Sequence, residues 1–338
     1  MKFELHTTFP SELESEWNAL LTESVTHVPF LRFEYLSNWW QTRGGGEWPS
    51  YAQLVLITAR ENEKLSGIAP LFLAEHENRP SLLLLGSIEI SDYLGVLVRP
   101  GDLPAFTTGL LNFLTTDPQV PSWQTLDLYN ILDDSPVIPL LQNEAAQRGW
   151  KFTSQSTDHS PAIPLPGNWE TYLAGIDKKQ RHEIRRKIRR MEEAEAPSRW
   201  YVVSDPESLE DEINAFLELM AHDPEKEAFL TEEMVTAMTG TIEAAFKHGY
   251  LQLAFLEING QKAAAYLNFD YLNRIWVYNS GLNREYNAYS PGWVLLGYLL
   301  QWANENQRES FDFMRGNEDY KYRFGAIDRF VHRVTLHR

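Results

Sequence analysis

One order of elements occurs twice in this chain, and it limits the fold more than any single motif does. YAQLVLITARENEKLSGIAPLFL, from Tyr51, and YLQLAFLEINGQKAAAYLNFD, from Tyr250, each read as an apolar strand, a polar turn and a second apolar strand. That is the pattern of a β-hairpin. In the first half a strand, LLLLGS, then a loop through ISDYLGVLVRPGD, a helix around Ala105 to Leu114 and the strand TLDLYN with Asp127 follow. In the second half RIWVYNS, the loop LNREYNAYS, a helix from Pro291 to Ala303 and SFDFMRG with Asp312 follow in the same order. Two similar hairpins arise by chance; five elements in one order predict a duplication. The expected fold class is α+β, two tandem domains, each a mostly antiparallel mixed sheet flanked by helices.

At 338 residues, 43 % of them hydrophobic and 13 % aromatic, the chain has enough length and apolar surface for two such cores. The join is expected in SPAIPLPGNW, where Pro161, Pro164 and Pro166 interrupt helix and sheet alike, giving domains over residues 1–160 and 161–338. MKFELHTTFP has no apolar run behind its single Lys, and no stretch reaches the length of a transmembrane span, so a soluble, cytoplasmic protein is expected. Zero cysteines exclude disulfides, thiolate metal sites and a cysteine nucleophile. His182 and Glu183 open an HExxH-like pattern, but Arg186 stands where the second His is needed, so no metal site is expected there. Neither a GxSxG elbow nor a Walker loop is present, and Gly44 to Gly46 read as a turn before the strand at Tyr51.

The stretch DKKQRHEIRRKIRRMEEAE, Asp177 to Glu195, departs from the rest in charge. Lys178 to Arg190 hold eight of the 30 Lys and Arg residues and one acid, a local charge of +7 in a chain of −17, leaving −24 on the remainder. Ile184, Ile188 and Met191 fall at i, i+4 and i+7 and predict a helix with one apolar stripe. Arg181, Arg185 and Arg189 then share an edge, with Lys178 at its start. A solvated basic face is the plain structural alternative. Against it, the cations repel one another along the helix, and MEEAE neutralises only its far end, so a phosphate-bearing ligand is expected. Two more helices are predicted, over about Leu209 to Met220 and Thr231 to Lys247.

Ser290 and Pro291 read as an N-cap and a first helical position, with Gly292 just inside. Such a start offers free backbone N–H groups and a positive dipole end to an anion, and Gly292 admits a close approach. The helix that follows, WVLLGYLLQWA, is apolar on nearly all sides and is expected to be buried. WETYLAGIDKKQRHEIRRKIRRMEE, YNSGLNREYNAYSPGWVLLGYLLQWA and FDFMRGNEDYKYRFGA together resemble the GNAT-superfamily acyltransferases of the CelD-like, cellulose-biosynthesis group. These are tandem-GNAT relatives of the Fem peptidoglycan aminoacyltransferases. WNALLTESVTHVPFLRFEYLSNWW is similar to that group's opening segment, so the resemblance spans most of the chain.

The resemblance implies two GNAT-like domains facing one another across a cleft, with the acyl donor on the second. It places the donor's pyrophosphate at Ser290, Pro291, Gly292 and Trp293 and its pantetheine arm along Ile275 to Asn279. The loop NREYNAYSPGW has one glycine where a typical GNAT loop has a Gly-x-Gly or Gly-x-Ala. Acyl-CoA is the expected co-substrate, with no metal; the Fem relatives use aminoacyl-tRNA instead, and a non-catalytic binding module with a degenerate donor loop is a third reading. The implied activity is transfer of an acyl group to an amine or hydroxyl of an envelope or exopolysaccharide precursor. Transfer needs a base, an acid for the leaving group and donors for the oxyanion. Asp312 is the candidate base and Tyr320 the candidate acid, with Arg315, Lys321 and Arg323 as clamps for an anionic substrate group. Equally, Asp312 pairs with Arg315 or Lys321 to fix the turn at Gly316. In the first half, Asp92 and Tyr93 sit in a loop that the duplication directs toward the shared cleft, although a capping role explains Asp92 as well.

Overall fold

Apolar runs bounded by turn residues become the strands of the computed structural model, which describes residues 1–338. In chain order the first sheet's elements are β1 (Lys2–His6), α1 (Glu14–Thr22), α2 (Phe33–Thr42), β2 (Gln53–Glu61), β3 (Lys64–His76), β4 (Arg79–Leu84), β5 (Leu97–Val98), α3 (Leu103–Thr116), β6 (Thr125–Leu132), α4 (Val137–Arg148) and β7 (Lys151–His159). The second set comprises β8 (Ala162–Pro164), α5 (Trp169–Gly175), α6 (Lys178–Glu192), β9 (Ser198–Val202), α7 (Leu209–Ala221), α8 (Pro224–Phe229), α9 (Glu232–Lys247), β10 (Leu251–Ile258), β11 (Gln261–Tyr271), β12 (Arg274–Leu282), α10 (Pro291–Glu305), β13 (Ser310–Asp312) and α11 (Asp319–Arg323). A last strand, β14 (Phe330–His337), closes the chain.

The duplication is present in the strand order. One sheet runs β1-β2-β3-β4-β6-β14-β7, with β5 beside β3, and the other runs β9-β10-β11-β12-β13-β8. In each, a strand and two hairpins precede one parallel pair, β4 with β6 and β12 with β13, and a helix makes the crossover. Both sheets are mixed, mostly antiparallel and flanked by helices, so the α+β tandem class holds. The hairpins turn tightly because Asn62–Glu63, Glu77–Asn78, Asn259–Gly260 and Leu272–Asn273 all take positive φ, which matches the twist of the flanking strands.

Two details depart from the sequence reading. The chain divides into Met1–Asp158 with Phe330–Arg338, and His159–Arg329. The segment assigned to the second domain by its position therefore returns to the first sheet, where Val331 and Val334 pair with Leu132 and Leu128. Its apolar residues Val331, Val334 and Leu336 are fully buried there, which is the force that recovers it. In the proline-rich join, Ala162–Pro164 forms a short strand against β13 rather than interrupting the sheet. It is an edge strand, the place in a sheet where a missing N–H is tolerated.

In the second domain the predicted stripe of α6 is realised: Ile184 and Met191 are buried and Ile188 packs against the same core. α10 contributes Val294, Leu295, Leu296, Leu299, Leu300 and Ala303 to that core, as its all-round apolar sequence requires. No helix is long and apolar enough to cross a membrane.

Candidate functional site

The second sheet opens at one point. β12 runs beside β13 only through Arg274–Trp276, paired with Ser310–Asp312. Beyond it, β12 keeps its partner β11 but slips register between Leu267 and Asn268, so Tyr278 has no opposite residue. Such a bulge bends the strand away from its neighbour. Gly281 then lets α7 lie against the far side of β12: a Cβ there would stand 2.6 Å from the Leu219 side chain and 2.8 Å from the Met220 nitrogen. A wedge without a strand partner remains along Val277 to Leu282.

The start of α10 lies at this wedge. Ser290 occupies the N-cap position but takes left-handed angles, φ 55° and ψ 51°, and its side chain makes no capping hydrogen bond. A side-chain cap needs extended backbone at that residue, so the predicted cap is not made and the first N–H groups of α10 stay without one. Gly292 and Trp293 line a pocket of about 190 Å³ together with Tyr266, Ser280, Leu282 and Tyr320. The indole N–H of Trp293 is buried without an acceptor. Its ring lies between the Lys187 ammonium, 4.1 Å from the ring centre, and Phe324, 4.6 Å from it.

Two phenols face the same pocket. Burial, with the Tyr266 phenol and the Glu318 carboxylate nearby, holds the Tyr320 hydroxyl well above the usual tyrosine range. Burial, reinforced by Glu318, raises Tyr266 likewise. Both stay protonated at any ordinary pH and can donate a hydrogen bond to an oxyanion or a leaving atom. Tyr320 is legible from its motif; Tyr266 is not, since it stands on a strand among apolar residues and nothing in its spacing separates it from core.

Asp312 is not brought to this pocket. Its carboxylate is 2 % exposed, accepts from Arg329 Nη2 at 2.6 Å and from the Met314 N–H at 2.9 Å, and so is already engaged as an acceptor. The turn-fixing role is present, with Arg329 as a partner of the carboxylate. Lys321, read as an anion clamp, is instead 3 % exposed; its ammonium donates to the carbonyls of Arg315 at 2.8 Å and Gly316 at 3.1 Å and pairs with Glu318 at 2.8 Å. That ammonium holds the turn before α11 together. Arg323 is exposed and paired with Asp319 one turn earlier, and Arg315 contributes its carbonyl to Lys321. In the first domain Tyr93 is fully buried in the core, while Asp92 is half-buried. Apolar packing explains Tyr93, so it is no surface group for a ligand.

The basic helix divides in two. Asp177 caps it, accepting from Lys179 and Gln180, and Lys178 is exposed at its start. Arg181 turns back to donate to the Leu173 and Ala174 carbonyls and so closes the end of α5. Arg185 and Arg189 remain on the open face. With Arg186, Trp169, His182 and Gln301 they line a groove of about 710 Å³. On the other side of the ridge, Arg186, Arg189, Arg190 and Tyr289, the residue before Ser290, line a second groove of about 500 Å³. Arg185 pairs with Glu170, and Arg189 lies 4.0 Å from Glu193. These are exposed pairs worth little, so an incoming phosphate can replace them.

With this geometry in view, the likenesses to other proteins are specific about fold. Residues 178–322 match the profile of an acetyltransferase (GNAT) domain. The chain is similar to the crystal structure of FemX, with a TM-score of 0.68 and 11 % identity over 98 % of this chain and 97 % of that one. It is also similar to a conserved protein of unknown function from Bacteroides thetaiotaomicron, at 0.63 and 12 % over 100 % of both chains. A third similar structure, L-PGS from Bacillus licheniformis, gives 0.56 and 13 % over 97 % of this chain and 91 % of that one. No protein of curated function shows significant sequence similarity to the chain. Together with the two sheet orders, these likenesses give the chain the GNAT-superfamily fold, in two tandem domains.

Proposed function

We propose that the second domain transfers an acyl group to an amine or hydroxyl, with the pocket among β12, α10 and α11 holding the reacting end of the donor. The observation that carries this is the convergence, on one pocket, of an open strand edge, the uncapped start of α10 and two phenols that stay protonated. In the reaction the acceptor's lone pair attacks the donor carbonyl carbon. The C=O electrons move to oxygen, and hydrogen-bond donors at the pocket stabilise that oxyanion. Collapse re-forms the carbonyl and breaks the bond to the leaving atom, which takes a proton from Tyr320; the acceptor releases its proton to solvent, and solvent returns one to Tyr320.

The favoured donor is an oxygen ester, as in the aminoacyl-tRNA used by Fem-type transferases. Burial keeps the Tyr320 phenol protonated, so it can give a hydrogen bond or a proton to a leaving oxygen. The likeness to FemX along nearly the whole chain supports the same choice at the level of fold. Acyl-CoA is the second reading, favoured by the match to an acetyltransferase domain over residues 178–322. The narrower CelD-like resemblance supplies the acceptor class, an envelope or exopolysaccharide precursor.

Calorimetric titration with coenzyme A and with an aminoacylated RNA minihelix tests the donor. Retention of the minihelix with no heat from coenzyme A is the expected result. Micromolar binding of coenzyme A alone reverses the choice of donor. Binding of neither removes the transferase reading and leaves a binding module on the same fold.

A further inference from the structure

α8 is tied to β12 and to the segment after it by polar contacts. None of its residues is buried, and Phe229 at its end is 36 % exposed. Asp223, its N-cap, pairs with Arg284 at 3.0 Å, both side chains being exposed. Lys226 reaches from the middle of α8 to β12, where its ammonium donates to Asn279 Oδ1 at 2.9 Å and to the Ser280 carbonyl at 2.5 Å. Asn279 Oδ1 in turn accepts the Ser280 N–H at 2.8 Å. Both backbone groups of Ser280 are thus satisfied by side chains, at the part of β12 that β13 no longer accompanies. Ser280 also lines the pocket that holds Tyr320. Burial lowers the basicity of Lys226, so this contact is made against a desolvation cost.

We propose that Lys226 and Asn279 hold the place of the ligand in the free protein. The donor's arm, which the family resemblance already places along β12, displaces Lys226 from Ser280 and takes over that residue's N–H and C=O. α8 is a strap that opens with this exchange, because none of its residues is buried in the core. The kind of chain that enters rests on the acyl-transfer reading; the strap does not.

Hydrogen exchange followed by mass spectrometry, on wild type and Lys226→Met, tests the strap without a ligand. Exchange over residues 223–230 is expected to rise at least fivefold in the variant, with the melting temperature unchanged within about 2 °C. Equal exchange in the two proteins overturns the strap. Titration of both with coenzyme A and with the aminoacylated minihelix tests displacement: whichever probe binds wild type binds the variant three- to tenfold more tightly. Weaker binding by the variant overturns displacement and makes Lys226 a direct ligand contact. If neither probe binds either protein, the donor reading fails, and the exchange result alone decides the strap.

Discussion

The two sheets share their strand order and part company where the parallel pair ends. In the first domain β4 and β6 pair through Ser81–Leu83 and Thr125–Asp127, and the chain then comes back over the gap. Asn130 donates to the carbonyls of Ile88 at 2.9 Å and Ser91 at 2.7 Å, and its own carbonyl accepts from Leu94 at 2.9 Å. Ser87, Ser91 and Tyr93 are fully buried in that loop. In the second domain the corresponding segment, residues 283–290, leads into α10, and the edge of β12 borders the pocket with Tyr320 and takes a polar contact from α8. One copy has closed the wedge with its own backbone; the other keeps it open. The open copy also bears the uncapped helix start, the two phenols and the arginine ridge. The difference marks which parts belong to the scaffold and which to a site.

The largest expected effect falls on the open copy. Tyr320→Phe removes the proton donor and is predicted to lower turnover by about a hundredfold or more, in the range for loss of a general acid. The melting temperature should hold, since the ring keeps its packing against Phe313. A variant that turns over within twofold of wild type removes Tyr320 from the chemistry and with it the main contrast between the copies.

The next effect is predicted to be the same in both. Asp127 accepts twice from Arg333, at 2.9 and 2.7 Å, as Asp312 accepts from Arg329. Both copies keep the pair, which assigns it to the scaffold they share. Asp127→Ala and Asp312→Ala each remove a charged acceptor from a partly buried arginine that keeps a second one, Glu77 for Arg333 and the Ser160 carbonyl for Arg329, at a cost of about 2 kcal/mol. Thermal melts should show comparable drops, with turnover per folded molecule unchanged. A selective loss of turnover in Asp312→Ala would return that residue to the catalytic role its motif suggests.

What is legible in the sequence follows the same division. Alternation and turn residues act locally, so the hairpins, the crossover helices and the apolar stripe of α6 can be read with near-correct bounds. Ser290, Pro291, Gly292 and Tyr320 lie in motifs with a physical signature and gather around the wedge. The features that escape such a reading depend on long-range pairing. Nothing local says that Arg329 and Arg333 seek Asp312 and Asp127, that β14 returns to the first sheet, or that Lys226 reaches β12 across 53 positions. Lys321 and Tyr93 mislead for a related reason: each residue type suits a site, and only burial shows it serving a turn and a core.

The arginine ridge carries the third effect. Reversing Arg185 and Arg189 to Glu is predicted to weaken binding of the minihelix about thirtyfold in 0.1 M salt and to make the logarithmic salt slope shallower by about two, one for each phosphate no longer neutralised. The melting temperature should stay within a few degrees, because both side chains are about half exposed or more, at 49 % and 70 %, and their ion pairs are weak. Unchanged binding with a lowered melt would mean that the ridge serves to pair with the acidic remainder of the protein.

The smallest effect is the sharpest test of the wedge, because it sets two glycines of one wall against each other. At Gly281 a side chain meets the Leu219–Met220 backbone below 3 Å, so Gly281→Val forces α7 off the sheet and should destabilise the domain by about 2 kcal/mol or more. At Gly292 the nearest atom to a new Cβ is Leu282 Cδ1 at 3.4 Å, an ordinary contact at the end of a flexible side chain. Valine is a poor helix former, but so is the glycine it replaces, and the net propensity change is about 0.5 kcal/mol or less. Gly292→Val is therefore expected to melt with wild type. What it alters is the approach to the first N–H groups of α10, where a branched side chain stands between a ligand and the backbone. Donor affinity should fall about tenfold, read by the same titration that identifies the donor. If Gly292→Val binds as wild type does, the ligand does not touch the start of α10, and the uncapped helix end is a feature of the turn at Ser290 alone.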